Sequence, residues 1–190
     1  MPVRLPSAPT GRRPAGPISI TTRTYPMSER VTVRPATQAD GDSWLALVDA
    51  LADYEKLDRP TPDARARLLN DAFGPEPHRI AVYMAEVDGR AVAYAITCET
   101  YSSFLALPTL YLEDIFVLPD ARRDGVGRTM IRYLAGEAIR RGCGRMEWVV
   151  LDWNQLAIDF YEKLGARRMK EWYTYRLTAQ QLHEIASVDG

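Results

Sequence analysis

One continuous stretch, residues 110–166, carries most of the information on the architecture, and it reads LYLEDIFVLPDARRDGVGRTMIRYLAGEAIRRGCGRMEWVVLDWNQLAIDFYEKLGA. Its pattern predicts a strand, a glycine-containing turn, an amphipathic helix, a second strand and a second helix. The turn, residues 122–127, follows an apolar run and opens the first helix. Its two glycines let a ligand approach the backbone closely, and the first amides of a helix have no intrahelical acceptor. The turn is therefore a candidate site for an anion, most often a phosphate or pyrophosphate.

The composition indicates one globular domain. The chain has 190 residues, of which 46% are hydrophobic, and a formal net charge of −1. This balance argues against a nucleic-acid binder, and no run approaches the ~18 apolar residues of a membrane span. Cys98 and Cys143 have neither metal-ligand spacing nor the pattern of a disulfide framework. We therefore expect a cytoplasmic protein without a metal, a membrane or a nucleic-acid partner.

Residues 1–29 differ from the rest of the chain. They contain six prolines, with Ser, Thr and Arg between them, and such a segment buries too little apolar surface to offset its ordering entropy. We expect a disordered or mis-annotated leader, with translation starting at Met27 as one explanation. An Arg-rich, acid-poor start is also typical of an organelle transit peptide. The folded domain is then expected at residues 30–190.

Local signals divide this domain into elements. An Asp-Gly pair at residues 88–89, between two β-rich runs, is a strong hairpin signal. The predicted elements are, in chain order, a strand at 31–35, a helix from a capping box at 37–40 to about residue 55, a helix at 63–71, strands at 80–87 and 90–97, a loop at 101–108, a strand at 110–118, a helix at 125–141, a strand at 145–151, a helix at 154–165 and a strand at 171–177. This order predicts a mixed α+β domain.

The glycine turn alone does not identify its ligand. It lacks the Gly-Lys-Ser/Thr ending of a nucleoside-triphosphatase loop, and Met130 stands at the third glycine position of the dinucleotide fingerprint. An ordinary turn remains one interpretation. A nucleotide-binding protein is another, although a metal-binding Ser/Thr and a phosphate-binding Lys are missing.

Several phrases that occur together and in order are far more specific. They are Arg34-Pro-Ala-Thr-x-Ala-Asp40, Tyr54-Glu55, Tyr111-Leu-Glu-Asp114, Arg122-x-x-Gly125-x-Gly127, Trp153-Asn154, Ile158-x-Phe-Tyr161 and Tyr161-x-x-x-Gly165-Ala166. The combination, over about residues 31–178, resembles the GNAT superfamily of N-acetyltransferases, and within it the diamine (spermidine/spermine) and thialysine acetyltransferase branch. The resemblance implies a mostly antiparallel central sheet with helices on both faces, a splayed strand pair, and a homodimer.

The resemblance also implies acetyl-CoA as co-substrate. Its pyrophosphate would bind the amides of residues 123–128, aided by Arg122 and Arg128, and its pantetheine arm would enter between the splayed strands. One departure is Arg123, where the family usually has Gly. The expected cofactor-binding residues are Ile115, Phe116, Val117, Arg122, Arg123, Asp124, Gly125, Val126, Gly127, Arg128, Asn154, Ala157 and Tyr161.

Two residues are expected to carry the chemistry. The spacing around Tyr161 alone indicates a core aromatic, but the resemblance implies that its phenol protonates the departing CoA thiolate. By the same resemblance, Glu113 accepts the proton of the incoming ammonium, directly or through water. Adjacent strand residues alternate faces, so Glu113 and Asp114 are expected on opposite sides of the sheet.

The other expected amine contacts surround these residues. Charged groups within a sheet strand are costly unless they are paired or hydrated, which favours a functional role for Glu113 and Asp114. Glu55 matches a phrase at the mouth of the amine site, although a solvated helix end is an alternative. The expected substrate-binding residues are Tyr54, Glu55, Glu113, Asp114, Glu147 and Trp148, and Asp152 could contribute. His78 and His183 have no motif around them and are expected to be surface residues.

The resulting hypothesis is an acetyl-CoA-dependent N-acetyltransferase acting on a primary amine of a small molecule. The substrate would be a polyamine or a lysine-like amine, which attacks directly in a ternary complex. One alternative is an N-acetyltransferase acting on a protein amine. Another is a non-catalytic module that binds or senses acyl-CoA.

Overall fold

A computed structural model describes residues 31–187, so the expected leader at residues 1–29 lies outside the described part of the chain. The described residues form five strands and five α-helices. In chain order they are β1 (Val31–Pro35), α1 (Gly41–Glu55), α2 (Pro62–Phe73), β2 (Ala81–Val87), β3 (Arg90–Ser102), β4 (Leu107–Val117), α3 (Val126–Arg140), β5 (Arg145–Glu147), α4 (Gln155–Lys163) and α5 (Ala179–Ala186).

The strands form one sheet in the order β1-β2-β3-β4-β5. The first four strands are antiparallel neighbours, and β5 alone runs parallel to β4. The predicted hairpin is confirmed, because Asp88 and Gly89 have φ angles of 51° and 78° between β2 and β3. Such left-handed pairs suit the tight turns of hairpins. The mostly antiparallel α+β sheet is therefore confirmed.

Helices cover both faces of the sheet. On one face α3 buries Val126, Met130, Leu134 and Ala138, which is the stripe that its 3.6-residue period predicts. These side chains pack in one cluster with Leu110 and Leu112 of β4. On the other face the helices α1 and α2 form a second cluster, which contains Trp44, Leu47, Ala72, Met84, Tyr94 and Phe116.

The pairing between β4 and β5 is short. It consists of Thr109 with Arg145, Leu110 with Met146, and Tyr111 with Glu147. The prediction of a strand at 145–151 is therefore wrong beyond Glu147. From that point β4 continues to Val117 without β5, so the two strands splay apart and leave a gap at this end of the sheet.

Two other predictions were wrong. The expected loop at 101–108 is shorter, since β3 extends to Ser102 and β4 begins at Leu107, which leaves residues 103–106 as the turn. Residues such as Thr100 and Tyr101 pair across this exposed hairpin with Thr109 and Pro108. Their polar and mixed character reflects solvent exposure and not a break in the strand.

The expected last strand at 171–177 does not form within the described chain. The helix α5 begins shortly after this segment. The sequence analysis missed α5, although Thr178 and Gln181 form a capping box that signals its start. Trp172, Tyr173 and Tyr175 are 72%, 82% and 91% exposed. Aromatic residues favour strands when they pack against cross-strand neighbours, and this segment has none in the described chain.

Candidate active site

The splayed ends of β4 and β5 open a cleft with a volume of about 1630 Å³. Residues from α1, β4, the glycine turn, the start of α3, the segment after β5, and α4 line it. Of the residues that the sequence analysis placed in the site, all line the cleft except Glu147, and the weaker candidate Asp152 does not line it either. Glu147 instead pairs with Arg145, with 3.0 Å between Oε1 and Nε.

The glycine turn has the backbone of a ligand cradle. Gly125, directly before α3, has a φ of 83°. Arg123 has a φ of 77°, so the position where the family usually has Gly does adopt the left-handed conformation that glycine favours. The Arg123 side chain is exposed. A residue with a side chain therefore adopts this strained backbone conformation at the position of the family glycine.

Gly127 leaves the first turn of α3 open toward α4. A Cβ atom at Gly127 would lie 3.5 Å from Phe160 Cζ and 3.8 Å from Val117 Cγ2. Those are ordinary contacts, so the fold does not require a glycine at this position. The missing side chain instead keeps the free helix amides accessible to a ligand, which is what an anion at a helix N-terminus needs.

Arg122 lies inside the cleft. Its Nε donates a hydrogen bond to the Val117 carbonyl oxygen at 2.9 Å. Its guanidinium carbon lies 4.7 Å from the centre of the Tyr54 ring and 5.6 Å from that of Phe116. The expected contact between Arg122 and a phosphate remains a prediction, since the side chain here stacks on aromatic rings.

The Tyr54 side chain extends from α1 and contacts residues at the start of α4. Its hydroxyl donates to Asn154 Oδ1 at 3.4 Å, and its ring centre lies 6.0 Å from that of Trp153. Asn154 Oδ1 also accepts from the Ala157 amide at 3.2 Å, which confirms the predicted N-cap of α4. The same Asn154 side chain therefore caps α4 and binds the Tyr54 hydroxyl.

Tyr161 lies on α4 among aromatic rings. The centres of the Trp148 and Phe160 rings are 5.0 and 5.3 Å from that of Tyr161. Burial of the phenol raises the pKa of Tyr161 to about 12. The hydroxyl therefore stays protonated near neutral pH and can serve as a proton donor inside the cleft.

A β-bulge brings two carboxylates to the same cleft. Asp114 pairs with Ile96 and Leu112 pairs with Thr97, so Glu113 is one extra residue on β4. Such a bulge interrupts the alternation of side chains along a strand. The bulge removes the strict alternation on which the expectation of opposite sides rested, and both Glu113 and Asp114 line the cleft.

Asp114 is the more deeply placed of the two carboxylates. Its Oδ2 accepts a hydrogen bond from the Tyr94 hydroxyl at 3.2 Å. Burial raises the pKa of Asp114 to about 6, against the opposing effect of that hydrogen bond and with further increases from Glu113 and Glu55. Burial also raises the pKa of Glu55. The three acidic side chains Glu55, Glu113 and Asp114 would attract a cationic ligand to this end of the cleft.

Residues 44–166 match the Acetyltransferase (GNAT) family. The chain belongs to this family. It is 32% identical to the thialysine N-epsilon-acetyltransferase of Sus scrofa over 82% of this chain and 97% of that protein. It is 30% identical to the spermidine/spermine N(1)-acetyltransferase-like protein 1 of Homo sapiens, over 81% of this chain and 23% of that protein. The predicted family, branch and enzyme class are confirmed, and this GNAT enzyme is an N-acetyltransferase that uses acetyl-CoA.

A solved structure supports the GNAT architecture. AAC(6')-Iy, in complex with the bisubstrate analogue CoA-S-monomethyl-acetylneamine, superposes on 78% of this chain and 99% of its own, with a TM-score of 0.65. The sequence identity is 22%, so this likeness concerns the fold.

Several residues that line the cleft of this GNAT enzyme escaped the sequence analysis. Most are apolar and carry no chemical signal; those on helices could have been found from the apolar stripes of α1 and α4. Arg176 and Thr174 reach the cleft from the segment before α5, which was expected to be a strand. The missed residues are Leu51, Leu57, Leu112, Pro119, Thr129, Val149, Val150, Leu151, Leu156, Phe160, Thr174 and Arg176.

Other groups lie away from the GNAT cleft. His78 bonds to the Gly74 carbonyl oxygen at 2.8 Å, and His183 is an exposed residue of α5. Among residues 31–187 no cluster of three or more His, Cys, Asp or Glu side chains could hold a metal ion. Over the same residues, no helix has both the length and the apolar character needed to span a bilayer.

Proposed function

We propose that this enzyme acetylates a primary amine of a small cationic molecule, either a polyamine or a lysine-like amine. The observation that carries the proposal is the gathering of Glu55, Glu113 and Asp114 at one end of the cleft that Tyr161 also lines. Carboxylates in a low-dielectric cleft attract and orient an ammonium group. The names of the relatives, thialysine and spermidine/spermine acetyltransferases, support the same class of substrate.

The glycine turn is the proposed diphosphate site of acetyl-CoA. The amides at the start of α3 supply donors, the dipole of α3 adds partial positive charge, and Gly127 leaves space for a close approach. Arg128 adds positive charge at the same end of the helix. The backbone of β4 from Ile115 to Val117, which has no β5 partner, is available to the pantetheine arm, with Asn154 and Ala157 on the opposite side of the cleft.

The proposed reaction is a direct acyl transfer. The neutral amine nitrogen attacks the thioester carbonyl carbon, a C–N bond forms, and the C–S bond breaks. The departing sulfur takes a proton from the Tyr161 hydroxyl, whose raised pKa keeps it in the donating form. The proton that the ammonium must lose before attack passes to Glu113, directly or through water. The second proton, which the nitrogen loses as the amide forms, returns to the Tyr161 oxygen and restores the phenol.

A ternary complex fits this site better than a covalent acyl-enzyme. Neither Cys98 nor Cys143 lines the cleft. Burial raises the pKa of both thiols, which disfavours the nucleophilic thiolate. Initial rates measured over both substrates should therefore give intersecting double-reciprocal lines, and parallel lines would contradict direct transfer.

A rate assay over three amine classes tests the substrate. We expect turnover of spermidine or thialysine with acetyl-CoA and little turnover of a peptide with a free N-terminus. Glu55→Gln should raise the KM of the amine more than it lowers kcat, because this carboxylate attracts the substrate without joining the chemistry. Turnover of the peptide alone would favour acetylation of a protein amine. Acetyl-CoA binding without turnover of any amine would favour the binding or sensing module.

We also propose that the enzyme is a homodimer. The aromatic side chains of Trp172, Tyr173 and Tyr175 are exposed, and exposed apolar groups close together in sequence are of the kind that a second copy covers. Thr174 and Arg176 of the same segment line the cleft, so a partner that packs on this segment would also shape the site. Light scattering should give twice the mass of the chain, and Trp172→Ser with Tyr175→Ser should reduce it to one chain. A monomeric wild-type protein would contradict the proposal.

A further inference from the structure

Arg122 joins the two ends of the cleft. It belongs to the glycine turn in sequence, yet its guanidinium lies over the ring of Tyr54, the residue next to Glu55. The hydrogen bond from Nε to the Val117 carbonyl oxygen holds it there. One side chain therefore contacts the aromatic ring at the amine end and a backbone carbonyl in the region proposed for pantetheine.

The position of this guanidinium is one that a substrate ammonium could use. An aromatic face attracts cations within about 6 Å of its centre, and the Arg122 carbon lies 4.7 Å from the centre of the Tyr54 ring. Tyr54 also donates a hydrogen bond to Asn154 and packs against Trp153. While Arg122 lies over the Tyr54 ring, a second cation meets both an occupied surface and a like charge.

Binding of acetyl-CoA would favour movement of the Arg122 side chain away from the Tyr54 ring. It directly precedes the turn whose amides are the proposed diphosphate site, and a guanidinium forms stronger, charge-assisted hydrogen bonds with phosphate oxygens than with a neutral carbonyl. Its hydrogen bond to the Val117 carbonyl competes with any donor from a bound pantetheine arm. Both effects favour movement of the side chain when acetyl-CoA binds.

We propose that Arg122 is a positioning residue that couples the two substrate sites, by occupying the Tyr54 ring until a CoA diphosphate draws it toward the turn. This inference rests on the proposed function. Bound acetyl-CoA then strengthens the binding of the amine. Because coupling between two binding sites is reciprocal, a bound amine also strengthens CoA binding.

Equilibrium binding of thialysine and spermidine, measured by calorimetry with and without saturating CoA, tests this coupling. For the wild type we expect CoA to increase the affinity for an amine by about tenfold, within the usual range for coupled sites. Arg122→Gln should bind the amine without CoA as tightly as the wild type does with CoA. A purely structural role of Arg122 would give the opposite result, since damage to the site weakens amine binding.

Two further variants separate charge from shape. Arg122→Lys keeps the positive charge but loses the planar group that stacks on a ring, so the coupling should fall without vanishing. Arg132→Gln removes an exposed arginine from the same helix, α3, and should retain the full coupling. Arg122→Gln should also raise the KM of acetyl-CoA, because it removes a group that would bind the diphosphate.

The outcomes distinguish this inference from the proposed function. If the wild type binds CoA and its amine affinity does not depend on CoA, the coupling is wrong while the proposed function stands. The coupling is also wrong if Arg122→Gln binds the amine more weakly than the wild type without CoA. If the wild type binds no CoA, or binds neither amine with CoA present, both proposals fail.

Discussion

The hydroxyl of Tyr94 on β3 donates to the buried carboxylate of Asp114 on β4 at 3.2 Å. Among residues 31–187, Asp114 forms no other hydrogen bond with a side chain. One neutral donor does not offset burial and the two nearby carboxylates, Glu113 and Glu55, so the pKa of Asp114 rises to about 6. The fold therefore carries a carboxyl group that binds its proton more tightly when folded than when unfolded.

Asp114→Asn should stabilise the protein in a pH-dependent way. Between about pH 4 and pH 6 the folded state binds more protons than the unfolded state, so the wild type loses stability as the pH rises through this window. Above this window the ionised carboxylate lowers the free energy of unfolding by about 2 to 3 kcal/mol. An Asn side chain avoids that loss and can still accept the hydrogen bond from the Tyr94 hydroxyl. Urea unfolding should show a larger gap in the free energy of unfolding between variant and wild type at pH 8 than at pH 4.5. Asp88→Asn, in an exposed turn, is the control for the same substitution outside the cleft. An equal gap for Asp114→Asn at both pH values would contradict the assignment.

Tyr161→Phe should lower kcat by about a hundredfold or more, in the range that general acid catalysis provides. The ring contacts with Trp148 and Phe160 survive the change, so CoA affinity and the unfolding midpoint should not move. Steady-state rates and CoA titration measure the two effects separately. Tyr133→Phe, whose ring packs against Tyr83, is the matched control and should leave kcat intact. Equal rates for Tyr161→Phe and wild type would remove Tyr161 from the mechanism.

Gly127→Ala should separate folding from cofactor binding. The added Cβ meets only ordinary contacts in the protein, so the unfolding free energy should stay equal or rise by up to about 1 kcal/mol. A bound diphosphate would be crowded, and an overpacking cost of about 1 to 3 kcal/mol corresponds to at least a severalfold loss of CoA affinity. Gly136→Ala, whose Cβ meets nothing, should gain stability without losing affinity. Unchanged CoA binding by Gly127→Ala would place the diphosphate elsewhere.

Arg123→Gly should stabilise the fold by about 0.5 to 1 kcal/mol. The left-handed conformation costs a residue with a side chain about 1 to 2 kcal/mol, and the greater freedom of glycine in the unfolded chain offsets part of that gain. Thermal or urea unfolding measures the difference. Arg132→Gly, within α3, should instead lose about 1 kcal/mol because its backbone is helical. A loss of stability in Arg123→Gly would show that the Arg123 side chain makes compensating contacts.

The parts of the fold that the sequence predicted are set by local interactions. The buried stripe of α3, the Asp88-Gly89 turn and the Asn154 cap each follow from residues within one or two turns of each other. The glycine turn was found for the same reason. Its left-handed backbone at Arg123 was not, because the sequence there departs from the glycine that would have revealed it.

The wrong predictions concern pairings between distant segments. The bulge at Glu113 exists because β4 pairs with β3 on both sides of it, and no local pattern at residues 112–114 shows that register. The end of β5 at Glu147 depends on where β4 departs, although residues 148–151 are as apolar as a strand. In the site, the position of Arg122 over Tyr54 depends in the same way on a helix nearly seventy residues earlier in the chain, and its expected contact with the phosphates stays a prediction.

The three-residue pairing of β5 with β4 has a further consequence for evolution and design. Each additional pair of hydrogen bonds after Tyr111 and Glu147 would add stability to an otherwise regular sheet, and each would also narrow the space between the strands. Selection for thermal stability and selection for turnover therefore act in opposite directions on the same few peptide groups. Consensus or computational stabilisation of residues 148–151 should be expected to yield well-folded proteins with reduced activity.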